Sequence, residues 1–183
     1  FAGTMNEDES TQSLSDKVVD RANVLKFGAP KTFANSRPQG NPPEHRALSK
    51  SNWDAWVRKP ESLGAEEDFV NAKIDQMSDI MKSFGRPFGH RLRLAMKSYV
   101  ANYPESDRFN GRFRTQTALA DQVEMRLLPK LRGLDPDESS QAFGDLANLI
   151  KNELIDEALA KGVHFSIENS RQNAQFNWGG VTR

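Results

Sequence analysis

Residues 1–27 read FAGTMNEDESTQSLSDKVVDRANVLKF, and the assignment of the whole chain turns on them. Phe1-Ala2-Gly3-Thr4 reads as the end of a buried strand. The polar run Asn6-Glu7-Asp8-Glu9-Ser10 then leaves the sheet. Leu14, Val18 and Ala22 recur at four-residue spacing, which predicts a short helix with one apolar face. Ser13 or Ser15 can cap its start by accepting a free backbone N–H. Val24, Leu25 and Phe27 supply β-favouring or apolar bulk, so residues 23–27 are expected to return to a strand. The unit is strand, polar turn, helix, strand, with an asparagine leaving the first strand and an arginine ending the helix.

Downstream, Gly28 to Pro43 is rich in proline and glycine and has little apolar periodicity, as a linker does. A short helix is expected over residues 51–57, stopped by Pro60. Its Trp53 and Trp56 are expected to cover the neighbouring core, with a binding surface as the alternative. The strongest helical pattern runs from Ala65 to Phe84: Val70, Ile74, Met77, Met81 and Phe84 form one continuous stripe. A second helix is expected from Pro87, a residue suited to a first helical position, with Phe88, Leu92, Ala95, Tyr99 and Tyr103 inward. A third is marked by Leu119, Val123 and Leu127, with Pro129 kinking or ending it and Gly133 offering a cap. A fourth is expected from Asp135 to Gly162, with Phe143, Leu146, Ile150, Leu154 and Ala158 inward. Val163, Phe165 and Ile167 alternate, which allows a short strand. The tail after Glu168 reads as irregular, anchored by Phe176 and Trp178.

The chain has 183 residues and equal numbers of acidic and basic side chains. Net charge therefore points to no polyanionic partner. The distribution is less even, with eleven Lys/Arg against four Asp/Glu between Lys82 and Arg132. The chain has no cysteine, which excludes disulfides, thiol catalysis and Cys-ligated metals. No apolar run is long enough to span a membrane, and a cytoplasmic protein is expected. The chain opens on Phe1 inside an apparent strand, so a segment of a longer protein is expected.

Gly3-Thr4-Met5-Asn6, the helix ending at Asp20-Arg21, Phe88-Gly89-His90-Arg91-Leu92 and Leu127-Leu128-Pro129-Lys130-Leu131-Arg132-Gly133 occur in this order. Together they resemble the C-terminal part of an AAA+ ATPase of the McrB-like, dynein-related group. The resemblance covers most of Phe1 to Gly133 and is weakest from Ser36 to Gly64. It implies a mainly α chain: a helical lid bundle preceded by a strand-helix-strand remnant of the α/β ATPase core. Residues 1–27 would be the core piece, 28–64 a linker and short helix, and 65–183 the lid with its tail. It implies a sensor-one role for Asn6, an arginine finger reaching a neighbouring subunit for Arg21, and a sensor-two role for Arg91, with Arg86 as the rival.

The chemistry of those residue types suits the roles. An asparagine amide can donate to a phosphate oxygen or hold an attacking water. Arginine keeps its charge and grips phosphate oxygens as a bidentate fork. Arg91 lies near an expected helix N-terminus, where backbone N–H groups already favour anions. The resemblance implies ATP, with Mg in the full-length parent, and a homo-oligomeric ring serving a partner nuclease or chaperone client. GTP-using members carry an Asp-Arg pair where this chain has Glu9-Ser10, which leaves ATP as the expected nucleotide. The chain holds no GxxxxGK[ST] phosphate loop and no acidic strand end for magnesium. Neither hydrolysis nor a bound cofactor is therefore expected of it alone.

The other readings are plainer. His45, His90 and His164 stand far apart, with no metal-ligand pattern. The basic stretch 82–132, with Tyr99, Tyr103 and Phe109 as stacking groups, fits nucleic-acid binding. The alternative to an ATPase segment is thus a stand-alone helical interaction or nucleic-acid-binding module.

Overall fold

The computed structural model describes residues 2–4, 15–19, 21–27, 47–107 and 110–181. α1 (Asp16–Val19) is one turn, and the backbone N–H of Arg21 closes it on the Val18 carbonyl at 3.0 Å. α2 (Lys50–Trp56) starts where the Ser49 side chain accepts from Asn52 N–H. It stops short of the 3-10 turn Pro60–Glu66, which Pro60 opens. α3 (Glu67–Ser83) begins with Glu67 and Asp68, acids that suit the positive end of the helix dipole. α4 (His90–Asn102) starts after Gly89, so Pro87 lies just outside it. α5 (Gly111–Gln122) runs on through a π-turn (Val123–Leu127) and a 3-10 turn (Leu128–Leu131) that contains Pro129. α6 (Ser140–Asn148) likewise continues into a π-turn (Leu149–Glu153), and α7 (Glu157–Arg171) follows.

One core joins these helices. Val70, Ile74, Met77 and Met81 of α3 meet Leu92, Met96 and Val100 of α4, Leu119 of α5, Phe143 and Leu146 of α6, and Val163 of α7. The apolar stripes thus pack as one bundle. Polar ties lie between the elements. Lys73 pairs with Glu153, and Gln116 donates to the Glu153 carbonyl at 2.7 Å, so α3, α5 and the second π-turn are fastened at one point. The Arg114 guanidinium donates to the carbonyls of Val100, Ala101 and Tyr103 at the end of α4, where helix carbonyls run short of intrahelical partners.

Several expectations are corrected. Asp135 to Glu138 forms turns ahead of α6 rather than helix. The helix expected as far as Gly162 breaks at residues 154–156, where Ile155 takes φ 57° and Asp156 caps α7 by accepting from Leu159 N–H at 2.9 Å. Gly162 then lies inside α7 and ends nothing. A Cβ there would come within 3.1 Å of the Trp178 ring, so its smallness makes room for the tail. The strand expected at 163–167 is helix, with Val163 buried and Phe165 exposed. Trp53 and Trp56 cover no core and are both exposed. Among the described residues no strand ladder forms. Residues 2–4 are not strand, and the return strand is reduced to one parallel bridge between Phe27 and Val181. A strand needs neighbours on its hydrogen-bonding edges, and among the described residues, 23–27 form no other bridge.

The tail anchors as expected, since Phe176 and Trp178 are both buried. Ser166 and Ser170, one turn apart on α7, accept from the N–H groups of Gly179 and Asn177. On the far side, the Phe176 N–H donates to the Leu134 carbonyl at 2.7 Å and the Phe176 carbonyl accepts from Gly133 at 2.9 Å. Gly180, at φ 84°, sits so close to Lys26 that a Cβ would lie 2.5 Å from its carbonyl oxygen. The tail therefore clasps residues 23–27 to the bundle.

Gln122, at the junction of α5 and its π-turn, is fully buried, and among the described residues neither amide atom has a hydrogen-bond partner. Leaving such a group unmatched costs about 1–3 kcal/mol. Gln122→Leu is expected to stabilise the chain by a comparable amount, read as a higher urea midpoint at unchanged slope. A lower midpoint would show that the amide has a partner.

Candidate functional site

The side chains of Arg21, Arg91, Leu92, Ala95 and Arg126 line an open cleft of about 380 Å³. Three elements converge there. Arg21 stands in the turn after α1, and Arg91 lies in the first turn of α4. Leu92 and Ala95 of α4 add apolar lining, and Arg126 comes from the first π-turn. A π-turn inserts an extra residue per turn and so changes the direction of every side chain beyond it.

The segment bearing Arg21 is fixed to this turn by two bonds. Arg126 Nε donates to Asn23 Oδ1 at 2.5 Å, and the Val24 N–H donates to the Met125 carbonyl at 3.1 Å. Arg21 and Arg91 are exposed, whereas Arg126 is partly buried. Burial pushes the Arg126 guanidinium below its ordinary pKa, because removal from water disfavours the charged form. Arginine nevertheless stays protonated at working pH. Arg21, Arg91 and Arg126 thus place three arginines along one open, partly apolar cleft.

The residues predicted from sequence fare differently. Arg21 and Arg91, far apart in the chain, are brought onto one cleft. Arg86 lies in the turn between α3 and α4 and is not part of the lining. Asn6 lies outside the described residues. Arg126 and Asn23 escaped the sequence reading. Arg126 enters the sequence reading only as one of the cations of the basic stretch 82–132, and the adjacent Leu127-Pro129-Gly133 segment is the signal that could have drawn attention to it.

The basic stretch 82–132 is largely engaged within the chain. Arg93 pairs with Asp75 at 2.6 Å, Lys97 with Glu67 at 2.9 Å, Arg112 with Glu66 at 3.0 Å and Lys82 with Asp79 at 2.8 Å. Arg93 holds the Asp75 carboxyl below its usual range, first through their hydrogen bond. Tyr99 and Tyr103 are half-buried with ring centroids 5.7 Å apart, and Phe109 lies outside the described residues. Among the described residues no three acidic or histidine side chains gather as metal ligands. None of the described helices is long and apolar enough to cross a membrane.

Fold and cleft together define a helical bundle domain with a cationic surface site. The chain belongs to the family described as Domain of unknown function (DUF8727), whose model matches residues 47–175. That span holds α2 to α7, with Arg91 and Arg126, and leaves out Arg21. No curated protein and no solved structure matches the chain.

Proposed function

We propose that the chain is the sensor and helical-lid segment of an AAA+ ATPase, and that its arginine cleft receives phosphate oxygens of ATP. The observation that carries this reading is Arg91, exposed in the first turn of α4 and lining an open cleft of the helical bundle. Arginine forks match phosphate oxygens in shape and charge. The N-terminal turn of α4 adds a favourable dipole beside Arg91. ATP would reach this cleft by its phosphate end. The phosphate loop and magnesium carboxylates would have to come from elsewhere in the intact protein.

The resemblance divides the two arginines, Arg21 serving a neighbour's nucleotide and Arg91 its own. Their shared cleft favours the second reading, a helical module that binds an anion within one chain. Turnover by the intact gene product tests the ATPase reading. Arg91→Ala is expected to weaken its ATP binding about tenfold or more, the loss of one charge-assisted contact. A gene product with neither a phosphate loop nor ATP turnover would overturn the ATPase reading and leave the module.

A further inference from the structure

Residues 23–27 run along the bundle and are held by it on one edge. Exposure alternates through them: Val24 and Lys26 are half-buried, whereas Asn23, Leu25 and Phe27 are exposed. That is the pattern of an extended segment, in which successive residues turn their side chains to opposite faces and their backbone groups to opposite edges. The even edge is occupied. The Val24 N–H donates to the Met125 carbonyl at 3.1 Å, and Gly180 of the tail lies against the Lys26 carbonyl oxygen. Two side-chain bonds fix the segment further, from Lys26 to Asn177 at 3.4 Å and from Arg126 to Asn23 at 2.5 Å. The odd edge is open. Among the described residues the Leu25 backbone forms no hydrogen bond, and the outward side chains include Leu25, 56% exposed, and Phe27, 89% exposed. A fixed edge with unpaired backbone groups and apolar side chains is a template for another strand.

We propose that this edge pairs with the same edge of a second copy of the chain, antiparallel about a two-fold axis through Leu25. The register follows from the geometry. The free groups of this edge belong to odd residues, so an odd residue must stand opposite an odd residue. An axis at Leu25 sets Leu25 against its own mate, each N–H donating to the other's carbonyl, and sets Asn23 against Phe27. Charge agrees, because Lys26 then stands opposite Val24 and no like charges meet within residues 23–27. Residues 23–27 thus meet both demands of their own edge, free backbone groups at matching positions and apolar side chains in a register without charge conflict. A two-fold contact of this kind closes on itself, so association stops at the dimer. The tails support it. Each already bridges Phe27 through Val181, so the joined copies set four extended segments side by side, more than the three that a small sheet needs. The pairing is independent of any nucleotide.

Sedimentation equilibrium of the full chain is the test. The average mass is expected to rise with concentration toward twice that of the chain, with Kd of about 1 mM or tighter, since a small interface associates weakly. The Leu25 side chain is exposed, so Leu25→Lys leaves the fold intact while placing two ammonium groups opposite each other across the axis. It is expected to weaken dimerisation about tenfold or more, and Leu25→Glu likewise. Mixing the two variants should restore association, because Lys then faces Glu, a result that a merely adhesive surface would not give. Cross-linking reads the register independently. The chain has no cysteine, and directly opposed residues with Cα atoms about 5.5 Å apart lie within disulfide reach. Leu25→Cys should therefore give a covalent dimer on mild oxidation, whereas Phe165→Cys, exposed on α7, should stay monomeric under the same conditions. The proposal is overturned by a dimer indifferent to Leu25→Lys, by charge variants that fail to associate when mixed, or by equal cross-linking at the two cysteine positions. A wild-type chain that stays monomeric up to about 1 mM also overturns it, and leaves the edge to a strand of a different protein.

Discussion

If the chain is the AAA+ segment proposed above, Arg21→Ala in the intact gene product is expected to lower ATP turnover about 10³-fold, because a comparable arginine acting on the transferring phosphate contributes at least that much. The size of the effect follows from when the charge is needed. Negative charge on the terminal phosphoryl group redistributes during transfer, and a fork placed there favours the transition state over bound ATP. Nucleotide affinity should then change little. Subunit mixing separates the two placements that the shared cleft leaves open. In one, Arg21 serves a neighbouring subunit, as the resemblance implies. Arg21→Ala subunits then regain activity at their own sites when an intact neighbour supplies its arginine, provided a second mutation silences that neighbour's site. In the other, Arg21 acts beside Arg91 and Arg126 within its own chain. Mixing then restores nothing, and the variant loses affinity together with turnover.

The helical core was legible in the sequence because side-chain burial leaves a period. Val70, Ile74, Met77 and Met81 recur at helical spacing, and all four are buried. What escaped were departures from regular helix, which leave no period. The π-turn at Val123–Leu127 carries no composition signal, yet it sets where Arg126 projects. The break at residues 154–156 rests on a positive φ at Ile155, a residue that rarely adopts one. A sequence reading assigned the stop to Gly162 because glycine commonly ends helices. There glycine answers to the Trp178 ring instead, a contact made by residues distant in the chain. The cleft was half legible. The family resemblance singled out Arg21 and Arg91, and only the fold brings them together and adds Arg126 with its partner Asn23.

Ile74→Ala and Leu127→Ala are each expected to cost roughly 2–5 kcal/mol, the usual range for emptying a filled core position. Both side chains are fully buried, one in the middle of α3 and the other at the end of the π-turn. Losses of this size are a large share of a domain's total stability of about 5–15 kcal/mol, so urea midpoints should fall sharply. Midpoints within about 0.5 kcal/mol of wild type, the range of ordinary surface substitutions, would mean that these side chains are not in the core.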